Sequence, residues 1–231
     1  VARSGRRGKV LTATCSLGKG AASGPFETSK PPASLDWDFW LGQAPKVDYT
    51  KERCHYMFRN WLEYSGGILT DWGAHHVDIA QWGLGMEHTG PAEIEGAGRY
   101  SNLPENFDPV TFFAGKQQLA NSYNVVTTFK VNLGFANGSR IIVQDAPDGQ
   151  YPDSGIWFRG DQGEIFVSRR RLTGPIVDKL YELSNNDRHW LDTELDKLYK
   201  AMPRHGHMAN FFECVKARKE PVSDVWSHHR A

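Results

Sequence analysis

One segment combines residue types that can move protons with the spacing of a helix. It is GGILTDWGAHHVDIAQWGLG, residues 66–85, and it holds two aspartates and two adjacent histidines. With about 100° of rotation per residue, Asp71, His75, Asp78 and Trp82 fall within about 60° of one another. A carboxylate four residues before an imidazole can fix the imidazole tautomer and raise its basicity. The spacing therefore predicts a general base, His75, oriented by Asp71; the alternative is a purely structural pair on a helix surface.

The second histidine points elsewhere on the same helix. His76 falls among apolar residues, so we expect a packed imidazole whose N–H is satisfied by backbone or water. Gly66 and Gly67 precede the helix and let other groups approach its start closely. The segment just before them offers aromatic and hydrogen-bonding side chains that suit a polyhydroxylated ligand: Arg59, Asn60, Trp61 and Tyr64.

Two other kinds of site are less well supported. A metal could take ligands from His55, Asp71, His75 and Asp78, but their spacing matches no established metal motif. A loop after the first predicted strand carries glycines in a G-x-G-x-x-x-G pattern that begins at Gly18. Prolines follow where a helix should present its amides to a pyrophosphate, so we expect no dinucleotide there. We predict neither a metal nor a cofactor-binding residue within this chain.

The elements that must position this helix are mainly strands. β-Branched and aromatic runs bounded by turn residues predict six strands, in segments 8–18, 92–100, 122–135, 139–144, 154–160 and 163–169. The turns ANGS and GDQG predict antiparallel hairpins. Segments 191–202 and 205–220 predict helices, the latter with an apolar stripe of Met208, Phe211, Phe212 and Val215 that we expect in the core. The fold class predicted is α+β, an open, mostly antiparallel sheet of about six strands with helices on one face.

Composition excludes several classes of protein. The 231 residues include 27 basic and 27 acidic side chains, so no overall charge draws the chain to nucleic acid or membranes. Mean hydropathy is −0.54, and no apolar run reaches the roughly 18–20 residues of a membrane span. The three cysteines show no C-x-x-C pair, which argues against a disulfide framework or zinc knuckle.

The central motif resembles that of a known enzyme family. The run formed by Gly66, Gly67, Asp71, His75 and Asp78 is similar to the substrate-domain signature of the glucose-fructose oxidoreductase, inositol dehydrogenase and rhizopine catabolism family (Gfo/Idh/MocA). DWDFWLGQAP, GDQGEIFVSR and HMANFFECVKARKEPVSDVWSHHRA extend the resemblance along nearly the whole chain.

The resemblance implies a division of labour within a longer polypeptide. Members pair an N-terminal Rossmann domain that binds NAD or NADP with a C-terminal α+β domain for substrate binding and oligomerisation. Residues 1–231 resemble only the second. Since the chain begins at Val1 rather than Met, we expect the nicotinamide-binding domain upstream and the last helix cut short. The fragment alone is then expected to be inactive.

Carried over by position, the resemblance gives roles to individual residues. His75 would take the proton of a substrate hydroxyl while hydride leaves the same carbon, and Asp71 would orient the imidazole or bind a neighbouring hydroxyl. Asp78 is the third motif position, which we interpret mainly as structural and retain as a substrate-binding candidate. Arg59, Trp61 and Tyr64 are also substrate-binding candidates.

Three functions remain open at this point. The first is an NAD(P)-dependent oxidoreductase for a secondary hydroxyl of a sugar, cyclitol or sugar derivative. The second is an NAD-dependent glycosidase that oxidises, eliminates and reduces again; the third is a non-catalytic sugar-binding or assembly domain. We expect a homo-oligomer formed through an apolar uncovered sheet face, with no nucleic-acid or membrane partner. The expected compartment is cytoplasmic, with periplasmic export as the alternative.

Overall fold

The architecture is an open, twisted sheet with its main helix on one face. The structure is a computed structural model that describes residues 2–3, 9–148, 154–181 and 185–231. The strands are β1 Val10–Ser16, β2 Glu93–Tyr100, β3 Val126–Gly134, β4 Arg140–Gln144, β5 Gly155–Gly160, β6 Gly163–Val167 and β7 Leu172–Thr173. The helices are α1 Trp37–Leu41, α2 Ile68–Leu84, α3 Pro109–Phe113, α4 Pro175–Tyr181, α5 Asn185–Leu198, α6 His207–Ala217 and α7 Val225–Arg230. Two 3₁₀ turns, Lys51–Arg53 and His55–Asn60, precede α2.

The sheet order is β2-β3-β4-β1-β5-β6-β7, and all but one of the neighbouring pairs are antiparallel. The predicted hairpins β3–β4 and β5–β6 are present. The exception is the central pair, where β1 runs parallel to β4 with Ala13 beside Ile141. The predicted α+β class is confirmed, and β7 adds a seventh strand that is only two residues long.

The core lies between α2 and the middle of this sheet. Ala13 and Cys15 of β1, Ile141 of β4 and Ile156 of β5 are almost completely buried, and Ala80 of α2 is packed in the same cluster. Complete burial of a large apolar side chain contributes roughly 1.5–3 kcal/mol. The helix is therefore held against the sheet by the apolar side of its surface, and the polar side remains for other contacts.

The opposite face of the sheet is chemically mixed. Thr14 lies beside Ile142 in the β1–β4 register, and the Arg159 guanidinium pairs with Asp148 at 2.5 Å and Glu164 at 3.2 Å. This face thus carries charged side chains as well as apolar ones, whereas the sequence predicts an apolar surface.

One prediction about the core is wrong. The apolar stripe of α6 faces outward: Met208, Phe211, Phe212 and Val215 are 63%, 48%, 52% and 51% exposed. The opposite side of α6 provides the buried residues, Asn210 and Cys214. Helical periodicity identified an apolar face correctly, but it carries no information on whether another element covers that face.

None of the described helices combines the length and the apolarity that crossing a membrane requires.

Candidate functional site

The start of α2 depends on a glycine. Gly67 precedes the helix with φ 68° and ψ −154°, a conformation that side-chain-bearing residues rarely adopt. A Cβ added at Gly67 would lie 2.8 Å from Cβ of Val125, just before β3. The close approach that the sequence predicts at this glycine is thus made by packing against Val125.

An ion pair between Arg59 and Asp71 lies at the first turn of α2, and an aromatic ring packs against its guanidinium. Arg59 Nη1 donates to Asp71 Oδ2 at 2.5 Å, and the two side chains are 22% and 32% exposed. The Arg59 guanidinium stacks 3.7 Å above the ring of Tyr56. A carboxylate in the first turn also interacts favourably with the helix dipole. Asp71 is therefore held by the preceding 3₁₀ segment.

This arrangement corrects the predicted contact between Asp71 and His75. Within the described residues, Asp71 is bonded to Arg59 and makes no hydrogen bond to His75. Helical spacing brought the two side chains within reach, but the delocalised charge of Arg59 is the stronger partner for a carboxylate.

His75 lies exposed on α2, one turn after Asp71. Its ring contacts the edge of Trp72 with 5.8 Å between centroids. In the part of the chain that the structure describes, neither ring nitrogen of His75 makes a hydrogen bond. The imidazole is thus positioned by the helix and accessible from solvent, which a residue that exchanges protons with a ligand requires.

His76 is packed, as predicted. Its Nδ1 lies 3.0 Å from the Trp72 carbonyl oxygen, and its Nε2 lies 3.2 Å from Oγ of Ser154. Burial lowers the pKa of His76 below 6.5, with smaller contributions from the charges of Arg169 and His75. The side chain lines a cavity of about 300 Å³ between α2 and the β5–β6 hairpin.

Asp78 faces the C-terminal helix. Its Oδ1 lies 3.8 Å from Nδ1 of His228 in α7. Burial raises the pKa of Asp78, and the nearby carboxylates of Glu87 and Asp224 act in the same direction while His228 and His75 oppose it. This placement between two helices suits the structural role inferred from the motif, and substrate binding by Asp78 stays a prediction.

The other two predicted binding residues belong to a separate buried network. Trp61 is completely buried and donates from Nε1 to the Glu52 carbonyl oxygen at 2.8 Å. The guanidinium carbon of Arg53 lies 3.7 Å from the centroid of the Trp61 ring. Arg53 Nη1 donates to the hydroxyl of Tyr64 at 3.2 Å. Trp61 therefore cannot offer a ring face to a substrate in this conformation, and Tyr64 contacts Arg53 rather than Arg59.

Sequence reasoning overlooked the charges at the centre of this network. Arg53 Nη1 donates to Glu63 Oε1 at 2.9 Å, and both side chains are nearly inaccessible to solvent. The available signal was a pair of opposite charges flanking an aromatic segment, which is indistinguishable in sequence from two solvated surface residues.

The described residues do not support the two weaker kinds of site. His55, Asp71, His75 and Asp78 are not brought together, and the described part of the chain contains no metal-compatible cluster of three or more His, Cys, Asp or Glu. In the glycine loop, the Gly20 amide donates to the Thr127 carbonyl at 2.9 Å. This amide is therefore already paired with β3 and is not free to bind a phosphate.

Comparisons with known proteins place the chain in a family. A search of curated proteins finds no match. Among solved structures, the chain is similar to an oxidoreductase from Thermotoga maritima with 13% sequence identity and a TM-score of 0.36. The match covers 87% of this chain and 47% of that protein, so the chain spans about half the length of that relative. The family model described as "Oxidoreductase family, C-terminal alpha/beta domain" (Gfo/Idh/MocA) matches residues 20–229. Because that match covers most of the chain, the protein belongs to this oxidoreductase family, within its C-terminal α/β domain.

Proposed function

We propose that the chain is the substrate domain of an NAD(P)-dependent oxidoreductase that acts on a secondary hydroxyl of a sugar, cyclitol or sugar derivative. The observation that carries the proposal is the exposed imidazole of His75 one helical turn after Asp71, whose carboxylate is held by Arg59. Family membership supports the same reaction class.

The proposed chemistry divides the atoms of an alcohol between protein and cofactor. A bound nicotinamide would accept the hydride from the carbinol carbon. A ring nitrogen of His75 takes the hydroxyl proton, and the carbon–oxygen single bond becomes a carbonyl. Asp71, immobilised by Arg59, accepts a hydrogen bond from a neighbouring hydroxyl and so orients the substrate. The Gly20 amide is paired with β3, and we propose that nicotinamide is bound mainly by a domain outside residues 1–231.

The test uses the full-length polypeptide with NAD⁺ or NADP⁺ and a panel of sugars and cyclitols, followed by nicotinamide absorbance. His75→Ala should lower kcat by roughly 10²–10⁴-fold, the usual contribution of general acid–base catalysis, with substrate binding retained. His207→Ala is the matched control, since His207 is also exposed but begins α6. Turnover by His75→Ala equal to that of the control would refute the assigned base.

Wild-type protein that reduces no nicotinamide with any member of the panel would refute the oxidoreductase proposal. Release of an aglycone without accumulation of reduced nicotinamide would replace it with the glycosidase alternative. We also propose a homo-oligomer formed through the mixed sheet face that carries Arg159. A monomeric mass by light scattering on the full-length protein would refute that association.

A further inference from the structure

A second cavity lies outside the Asp71–His75 region. It has a volume of about 620 Å³, within the roughly 300–1,000 Å³ range of small-molecule sites. Its walls come from the loops around α1 and α3 and from the network below Tyr64. The described lining includes none of the side chains placed in the proposed active site.

A rigid guanidinium forms part of the cavity wall. Arg53 lines the cavity with a side chain that is only 5% exposed, stacked on Trp61. Its Nε donates to Asn121 Oδ1 at 3.2 Å, and its Nη1 donates to Glu63 and Tyr64. Within the described residues, Nη2 has no hydrogen-bond partner. Nη2 is not among the fully buried polar atoms that lack a partner, so it is accessible from the cavity and offers a fixed donor to an incoming oxygen.

The acceptor beside this donor is fixed as well. Glu63 Oε1 accepts from Arg53, and Oε2 accepts from Asn124 Nδ2 at 3.0 Å. Neither charged side chain needs to be reoriented when a ligand enters, so the free energy spent on ordering the protein is small.

The charges around the cavity balance. Arg53 and Lys46 are countered by Glu63 and Asp48, so the lining has no net charge. A balanced lining gives an anion or a cation no long-range electrostatic advantage. The remaining polar groups, including Gln118, offer donors and acceptors in a mixture that matches hydroxyl groups, which both donate and accept.

We propose that this cavity binds a neutral polyhydroxylated ligand, one sugar or cyclitol unit, at a site separate from Asp71 and His75. The Arg53 Nη2 group donates to a ligand hydroxyl, and Gln118 and Thr28, which also line the cavity, complete the hydrogen bonds. This binding does not depend on the proposed redox reaction.

The experiment measures binding to the 231-residue chain by isothermal titration calorimetry and saturation-transfer NMR. The probes are D-glucose and myo-inositol as neutral polyols, and D-glucuronate as a matched anion. We expect saturable binding of at least one neutral probe. The double variant Gln118→Ala, Thr28→Val should weaken that binding by roughly tenfold, because it removes two neutral hydrogen bonds.

Three further variants locate the binding. Gln43→Ala, an exposed glutamine outside the cavity, should bind like wild type. Asp71→Asn reports on binding at the proposed active site, and it should keep the binding that the double variant loses. Arg53→Lys keeps the charge but loses the planar donor geometry. It should reduce affinity at least as much as the double variant, provided circular dichroism shows a native fold. If Arg53→Lys does not fold, the double variant decides.

Several outcomes would overturn the inference. The first is that neither neutral probe shows saturable binding, and the second is that D-glucuronate binds more tightly than either neutral probe. The third is that Asp71→Asn loses binding while the double variant keeps it. The last result would assign the ligand to the Asp71 region. Because none of these measurements involves nicotinamide, failure here is distinguishable from failure of the proposed oxidoreductase function.

Discussion

Replacing Gly67 by alanine should destabilise the protein more than an ordinary glycine substitution. The backbone at Gly67, φ 68° and ψ −154°, lies in a region almost restricted to glycine, and an L-residue there costs about 1–3 kcal/mol. The new Cβ would also lie 2.8 Å from two side-chain carbons of Val125. Overpacking of this kind adds about 1–3 kcal/mol, so the expected loss is about 2–6 kcal/mol.

The matched control is Gly85→Ala at the other end of α2. Gly85 also has a positive φ, 70°, but an added Cβ meets nothing within 4 Å. Its cost is therefore the left-handed backbone alone, about 1–2 kcal/mol. The comparison separates close packing from backbone conformation, because only Gly67 combines both.

Urea unfolding of the 231-residue chain, followed by circular dichroism and tryptophan fluorescence, measures both losses. Stabilities of single domains are about 5–15 kcal/mol, so the loss at Gly67 should lower the midpoint markedly. If Gly67→Ala costs no more than Gly85→Ala, the explanation of the helix start by contact with Val125 is wrong.

Three further predictions concern buried ionisable groups. Because the pKa of folded His76 is lowered below 6.5, the folded state binds fewer protons than the unfolded chain as the pH falls. Stability should therefore fall from pH 7.5 to 5.5, and His76→Gln should reduce this dependence in urea unfolding; an unchanged slope would contradict it. Because the pKa of folded Asp78 is raised above 3.8, its ionised form is unfavourable at neutral pH. Asp78→Asn should gain stability at pH 7, a gain that disappears as the pH falls through the folded pKa towards 3.8; a loss at pH 7 would contradict this. Burial strongly raises the pKa of the Cys15 thiol, so peptide mass spectrometry should find Cys15 labelled by iodoacetamide only after unfolding. Rapid labelling of the native chain would show that the strand is open to solvent.

Local patterns were sufficient for most of the secondary structure. The spacing of residues within segment 66–85 predicted a helix, and the observed α2 runs from Ile68 to Leu84. The helix ends at Gly85, which has the left-handed conformation. The Gly85 amide donates to the carbonyl oxygens of Gln81 and Trp82 in the last turn. Six strands followed from β-branched runs, while β7, with two residues, is too short to leave a pattern.

Long-range pairing was beyond those patterns. The parallel alignment of β1 with β4 joins residues more than a hundred positions apart, such as Ala13 and Ile141, and no turn motif connects them. The sequence also predicted a core role for the α6 stripe, whereas the structure leaves it exposed. In both cases, the missing information is which other element lies alongside.

Backbone geometry fixes the rotation per residue, so the order of residues was enough to say which of them share a helix and which side of it they occupy. It was enough to predict His75 as a general base and His76 as a packed side chain. The hydrogen-bond and ion-pair partners of these residues are known only from the folded chain. Asp71 binds Arg59 instead of His75, and Trp61 supports Arg53 beneath the surface. Hydrogen bonds and ion pairs form between atoms a few ångströms apart in space, and chain folding sets those distances independently of the spacing along the sequence.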